Sequence, residues 1–330
     1  MAPTTGHEVS ALGIGAWSWG DRTGYWGWEN QGRPDGYGEE ENRAAYQALV
    51  DAGVTFLDTA EVYGFGKSEE LVCDFIRRTP GSSVPFIATK FAPLPWRFTA
   101  DTVEKALQAS LRRLGQSSVG LYQIHWPGFP FINNWATDTF VEGLATVQQA
   151  GLAKAVGVSN FRADRMRKAH SILEARGVPL ASNQVQYSLT YRAPERNGVM
   201  AACRELGVTL IAYSPMAQGL LTGKYTPGGT KAAGPRSGLF SDERLAAVQP
   251  LLGLMRKVGS EHGGKTCAQV AINWTICKGA LPIPGAKNAK QAAEAAGALG
   301  WRLTADEVAA LDAASDRLGA DSMGAPFENW

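Results

Sequence analysis

The chain has 330 residues, 45% of them hydrophobic and 19% charged, with a formal net charge of +1. That apolar content sustains a large core and excludes a disordered chain. The near-neutral balance, with no long basic run, argues against nucleic-acid binding as the main activity. No apolar stretch approaches the roughly 18 residues of a membrane span.

Short apolar runs alternate with helical patterns from one end to the other. The first run, LGIGAW (12–17), contains Gly13 and Gly15, but Trp17 and Trp19 follow. It therefore lacks the glycine fingerprint of an open dinucleotide-binding sheet, and its glycines instead turn a strand or admit a close neighbour. Residues 18–38 are too rich in Gly and Trp for a helix and read as a long loop. Residues 39–53, EEENRAAYQALVDAG, predict a helix with Ala45, Leu49 and Ala52 on its apolar face and Gly53 at its end. TFLD (55–58) is the second run, and the KSEE that follows opens a helix with Ser68 as its cap and Glu69 and Glu70 in its first turn. FIATK (86–90) comes next, then a helix over 99–115 capped by Thr99 or Asp101, with Val103, Leu107, Leu111 and Leu114 as its stripe.

The remaining runs are LYQIH (121–125), AVGVSN (155–160), SNQVQY (182–187), TLIAY (209–213) and LPIPG (281–285). Residues 226–240 form a second long loop, rich in Gly, Pro and basic residues. Cys73, Cys203, Cys267 and Cys277 fall in helical stretches without metal-ligand spacing and read as reduced thiols, the last three in the core. Most apolar runs lack a polar face, as strands of a buried parallel sheet do. Eight such runs with helices between them predict one (β/α)8 barrel over residues 1–330, with long loops at its carboxyl-terminal rim. The amino terminus, MAPTTGHEVS, has neither a secretory apolar region nor a transit-peptide composition. The chain as it stands is expected in the cytoplasm, and removal of a transit peptide would instead place it in the chloroplast stroma.

In such a barrel, chemistry gathers at the carboxyl ends of the strands. Those ends carry Asp58, Lys90, His125, Ser159 with Asn160, Gln184 and Tyr213, and Tyr63 lies on the loop after Asp58. A phenol is a weak acid, with a pKa near 10. A nearby ammonium favours its phenolate, a carboxylate can hold that ammonium, and a neutral histidine can orient a carbonyl oxygen. Tyr63 has two candidate lysines. Lys67 stands at a Y-x-x-x-K spacing, but the intervening GFG is a poor helix, so the pairing expected is with Lys90. Lys287, directly before Asn288 at a helix start, joins an ammonium to free backbone N–H groups and suits a phosphate; Lys290 offers a second charge.

The stretches FLDTAEVYGFGKSE, ATK, QIHWP, VGVSNF, NQVQYSL, YSPMAQGLLTGKY and PIPGAKN resemble, in order, the successive motifs of the aldo-keto reductases. GAWSWGD and GKYTP…GPR resemble the plant, algal and cyanobacterial branch of that family. The resemblance implies a tetrad of Asp58, Tyr63, Lys90 and His125 that reduces carbonyl compounds with NADPH and no metal. It further implies that Ser159, Asn160 and Gln184 hold the nicotinamide carboxamide and that Tyr213 stacks on the ring. Ser214, Gly219, Leu221 and Lys224 would line the pyrophosphate, and Gly285, Lys287, Asn288, Gln291 and Glu294 the adenosine end. Ala295 stands where the family commonly has Asn.

Trp17, Trp96 and Trp126 follow strands one, three and four and suit the walls of an apolar substrate pocket. Trp26 and Trp28 lie in the first long loop, where they cover the pocket or pack the loop down, and Arg236 in the second is placed to clamp the pyrophosphate or to stand in solvent. The expected partner is a small carbonyl compound, pyridoxal among them. The alternative is a nicotinamide-binding regulatory subunit with little turnover, similar to the β subunits of potassium channels. No exposed heptad sets an oligomeric state.

Overall fold

The computed structural model describes residues 8–30, 32, 36–79, 84–229 and 232–319. Eight parallel strands pair in chain order: β1 (Gly13–Gly15), β2 (Phe56–Asp58), β3 (Phe86–Phe91), β4 (Val119–Ile124), β5 (Ala153–Ser159), β6 (Leu180–Gln186), β7 (Thr209–Tyr213) and β8 (Leu281–Ile283). A bridge between Gly15 and Gly285, with Gly15 N donating to Pro284 O at 3.0 Å, joins the first strand to the last. The sheet is thus the (β/α)8 barrel that the alternation of runs predicts.

Helices α1 (Glu39–Asp51), α2 (Lys67–Arg78), α3 (Asp101–Leu114), α4 (Thr137–Gln149), α5 (Ala163–Glu174), α6 (Ala193–Arg196), α7 (Val199–Leu206), α8 (Asp242–Glu261), α9 (Cys267–Cys277), α10 (Ala289–Ala296) and α11 (Ala305–Asp316) supply the connections. Alternate strand residues face opposite ways. Leu57, Ile87, Tyr122, Val156 and Val185 join the large core that includes the helices' apolar faces. Phe56, Ala88, Leu121, Ala155 and Ile211 face the barrel axis as a second cluster. Among the described residues no helix is long and apolar enough to cross a membrane.

The Gly13 reading as a close-approach position has a direct cause. A Cβ there would stand 2.4 Å from the Phe56 ring and 3.0 Å from Ile283 Cγ2. Gly115 ends α3 in the left-handed conformation at φ 62°. Three local expectations need correction. Ala52 is exposed, and Tyr46 takes a buried place in α1 instead. Ala100 is the residue preceding α3, because Thr99 spends its hydroxyl on Asp101. Ser68 lies inside α2, which starts after the left-handed Gly66, and its hydroxyl donates to Ala16 O at 3.0 Å. Cys203 and Cys267 are buried, whereas Cys277 and Cys73 are half-buried.

Candidate active site

Asp58 closes β2, Lys90 sits near the end of β3, and His125 directly follows β4, so three strands bring these side chains to one rim. Lys90 is fully buried and uses all three ammonium protons. Nζ donates to Asp58 Oδ1 at 2.5 Å, to Thr59 O at 2.9 Å and to Tyr63 OH at 3.3 Å. Asp58 Oδ2 accepts from Gln184 Nε2 at 2.8 Å and from Gln123 Nε2 at 3.4 Å. Tyr63 begins a 3-10 turn (Tyr63–Gly66) with left-handed Gly64 and Phe65, which aims the phenol over the rim. Its ring meets His125 edge-on, centroids 5.5 Å apart. Lys67 belongs to the next helix and makes no hydrogen bond to the phenol among the described contacts. The lysine paired with Tyr63 is Lys90.

Burial and contact pull against each other here. Burial pushes Asp58 up and Lys90 down, each toward its neutral form, and their mutual contact opposes both shifts. Glu69, buried at the base of α2, adds to the field that keeps Lys90 charged. Thr89 Oγ1 and Arg113 Nε hold it, each donating at 2.6 Å. The phenol departs from the expectation drawn from a lone ammonium. Burial, and then the Asp58 carboxylate, hold Tyr63 well above the usual tyrosine value of 10.0. In the ligand-free protein Tyr63 therefore keeps its proton.

Burial, and then the Lys90 ammonium, hold His125 well below its usual 6.5. The unfolded chain takes up a proton at this position at a pH where the native chain does not. The stability linked to His125 is thus complete above about pH 6.5 and drains as the pH falls, by up to about 1.4 kcal/mol per pH unit. His125→Gln is expected to flatten the acid side of a melting-temperature profile below about pH 6.5. An unaltered slope would contradict a neutral buried imidazole.

The amide-bearing residues converge beside the tetrad. Ser159 Oγ donates to Gln184 O at 2.7 Å, and Asn160 Nδ2 donates to His125 O at 3.0 Å. Tyr213 OH donates to Asn160 Oδ1 at 3.1 Å, leaving its ring half-buried at the mouth. Asn160 itself is left-handed at φ 62°, a strain that asparagine tolerates better than most residues. Beyond β7, Ser214, Ala217, Gln218 and Gly219 all have positive φ, so the backbone curls into a concavity of the kind that holds anions. Leu221 is buried and can offer only its backbone, and Lys224 is exposed. Gly285 is exposed after β8. Asn288 caps α10, its Oδ1 accepting from Gln291 N at 3.0 Å, and Gln291 Oε1 accepts from Lys287 N at 2.9 Å. Glu294 is half-buried and Lys290 exposed, and Ala295 packs into the core.

Aromatic side chains frame the mouth. Trp126 is 7% exposed, its ring 5.0 Å from His125, and Trp17, 41% exposed, lies 6.3 Å from Tyr63. Trp96 is 70% exposed and makes no ring contact with either among the described contacts, so it is the weakest of the three as a wall. The two long loops meet over the rim. Tyr25 stacks on Trp17 and donates to Gln218 Oε1 at 2.7 Å. The Arg236 guanidinium lies 4.8 Å from the centre of the Trp26 ring. Arg236 is therefore buried, not solvated. Lys287 Nζ donates to Trp26 O at 2.6 Å and sits 4.5 Å from the centre of the Tyr37 ring. Trp28 pairs with Tyr37 in an isolated bridge inside the first loop.

Several contributors escaped the sequence reading. Gln123 shares the inward face of β4 with His125, two residues later, and that period was the available signal. Glu61 clamps the loop after β3 by accepting from Ala92 N at 2.7 Å and pairing with Arg97. Glu69 was read only as a first-turn helix residue, and nothing in its spacing announces its field on Lys90.

A buried ring nitrogen, His125 Nδ1, meets no protein hydrogen-bond partner among the described residues. Together with the amide cluster, the curled backbone and the basic helix start, it makes a site that fits a long anionic dinucleotide beside the Tyr63 phenol. The barrel, with its polar groups gathered at the carboxyl-terminal rim, has the layout of a (β/α)8 enzyme. Residues 11–316 match the Aldo/keto reductase family, and the chain belongs to it. The chloroplastic pyridoxal reductase of Arabidopsis thaliana is 38% identical over 316 residues, covering 93% of this chain and 84% of the relative. The NADP(+) aldo-keto reductase yakc of Schizosaccharomyces pombe is 31% identical over 308 residues, covering 88% and 86%. An aldo-keto reductase from Klebsiella pneumoniae, solved in complex with NADPH, aligns at a TM-score of 0.70 and 25% identity, over 95% of this chain and 93% of that one.

Proposed function

We propose that this protein reduces aldehydes and ketones to alcohols with NADPH, and that Tyr63 supplies the proton. One observation carries the reading: Lys90 Nζ reaches Asp58 at 2.5 Å and Tyr63 OH at 3.3 Å. The S. pombe relative's NADP(+) and the K. pneumoniae structure's NADPH support the choice of coenzyme. NADPH, when bound, supplies the hydride that adds to the carbonyl carbon.

The chain's own groups manage the oxygen. His125, held neutral by burial, hydrogen-bonds the carbonyl oxygen and fixes its direction. Tyr63 keeps its proton until negative charge grows on that oxygen, then donates it. Lys90 steadies the phenolate left behind, and Asp58 holds Lys90 against the loss of solvent. Gln184 Nε2 spends one N–H on Asp58, and its side-chain oxygen is the acceptor for a carboxamide N–H. Asn160 and Ser159 complete that contact, and Tyr213 offers its ring face. Backbone groups of Ser214, Gly219 and Leu221, with Lys224, take the pyrophosphate. Gly285, Lys287, Asn288, Gln291 and Glu294 take the adenosine end.

Lys287, whose Nζ donates to Trp26 O, directly precedes the Asn288 cap of α10, so its ammonium stands at the helix start that takes the 2′-phosphate. Lys287→Ala is expected to weaken NADPH binding about tenfold or more, the worth of a charge-assisted hydrogen bond. NADH binding should stay within about twofold in the same variant. Equal losses for both coenzymes, read by fluorescence titration, would remove Lys287 from phosphate recognition.

For the substrate, Trp17 and Trp126 flank the tetrad and favour a flat aromatic aldehyde. The Arabidopsis relative makes pyridoxal the first to test. The experiment is steady-state NADPH and NADH oxidation with pyridoxal, 4-nitrobenzaldehyde and short aldehydes. Turnover with NADPH supports the reading, whereas tight NADPH binding without turnover favours a regulatory subunit.

A further inference from the structure

The barrel interior is unevenly filled. At the amino-terminal strand ends, opposite the tetrad, lies a cavity of about 280 Å³. Barrels of this type normally fill such space with layers of bulky branched side chains. Here the stacked rings of Phe56 and Phe86, centroids 6.2 Å apart, line one part, and β5 and β6 contribute only Ala155 and Ala181 to the apolar lining. Apolar space of this size is enough for a small molecule, since an engineered apolar cavity of about 150 Å³ takes up benzene. Of the three lining hydroxyls, Ser10 donates to Leu12 O at 2.6 Å and Ser182 to Gln123 Oε1 at 3.2 Å, and Thr209 supplies the third. Arg302 is the charged residue of the lining. It is exposed and makes no ion pair or hydrogen bond among the described residues.

We propose that this floor cavity is a second small-molecule site, which takes a medium-chain monocarboxylate. The alkyl chain lies between the phenyl rings and the alanines, where burial of apolar surface drives binding. The carboxylate sits on Arg302, whose guanidinium suits a two-point contact. The cavity's Ser182 is two hydrogen bonds from Asp58 through Gln123, and the ligand site shares no residue with the coenzyme groove. Failure of the carbonyl-reductase reading would leave this site untouched, and the reverse holds as well.

Calorimetric titration of the full chain with sodium octanoate tests the assignment, with 1-octanol as the uncharged probe. Octanoate should bind one-to-one, with an affinity that saturating NADPH changes by no more than about twofold. Ala181→Phe fills the cavity and should weaken octanoate by about tenfold or more while keeping or raising the melting temperature. Ala155→Leu makes the same test should the phenylalanine variant fail to fold. Arg302→Ala should weaken octanoate about tenfold and leave 1-octanol unchanged. The proposal is overturned if octanoate does not bind. Equal binding to a folded, cavity-filled variant, or displacement by NADPH with 4-nitrobenzaldehyde, also overturns it.

Discussion

Tyr63→Phe is expected to lower kcat for aldehyde reduction by about 10²- to 10⁴-fold, the usual contribution of a positioned proton donor. The phenyl ring keeps its place against His125 and Trp17, so the mouth stays formed and only the hydroxyl is lost. NADPH affinity should therefore remain within about twofold, which a kcat and Kd measurement on the same preparation separates. The raised phenol sharpens this expectation. A tyrosine that burial and Asp58 keep protonated is a loaded donor at neutral pH, and no other hydroxyl hydrogen-bonds Lys90 among the described contacts. Near-normal turnover in the phenylalanine variant would mean that another group, or water, delivers the proton.

The second large effect concerns the buried pair beneath it. Asp58→Asn leaves the Lys90 ammonium facing an amide in a fully buried position, with Gln184 and Gln123 still donating toward the altered oxygen. Breaking a buried pair from one side typically costs about 3–5 kcal/mol, because the remaining charge has neither solvent nor counter-ion. Urea denaturation should show that loss as a lower midpoint at constant m, together with severe loss of activity. Lys90→Met in the same background removes the stranded charge, so the double variant should recover much of the stability and none of the activity. Strictly additive losses in the two single variants would show that the residues do not act as a pair.

The tetrad was legible because its members stand where a parallel barrel must bring side chains together. Asp58, Lys90 and His125 each end an apolar run, and such ends share one rim whatever their separation along the chain. Lys67 could be set aside on local grounds, since the Gly-Phe-Gly between it and Tyr63 makes a left-handed 3-10 turn and not a continuous helix. Electrostatic balance was less readable. Lys90 beside Tyr63 suggests a lowered phenol, but burial and Asp58 act in the other direction, and both depend on packing that spacing does not encode. Helix starts misled where side chains found other partners: Ser68 turns to Ala16, far along the chain, and Thr99 to Asp101, two residues on. The meeting of Trp26 with Arg236 and Lys287 was not visible at all. It joins two Gly-rich loops to a helix start, and such segments follow no period. Gln123 was within reach, two residues before His125 on the same face of its strand, but a glutamine in an apolar run reads as a tolerated polar residue until its acceptor is known.

The most direct test is isotopic. Protein loaded with NADPH carrying deuterium at both C4 positions is mixed with a slight excess of pyridoxal or 4-nitrobenzaldehyde, and the alcohol is examined by NMR. Hydride transfer at this mouth predicts one deuterium on the former carbonyl carbon and loss of the reduced-coenzyme absorbance in equal amount. Recovery of unreacted aldehyde alongside bound, unoxidised coenzyme, or an alcohol without deuterium, would contradict it.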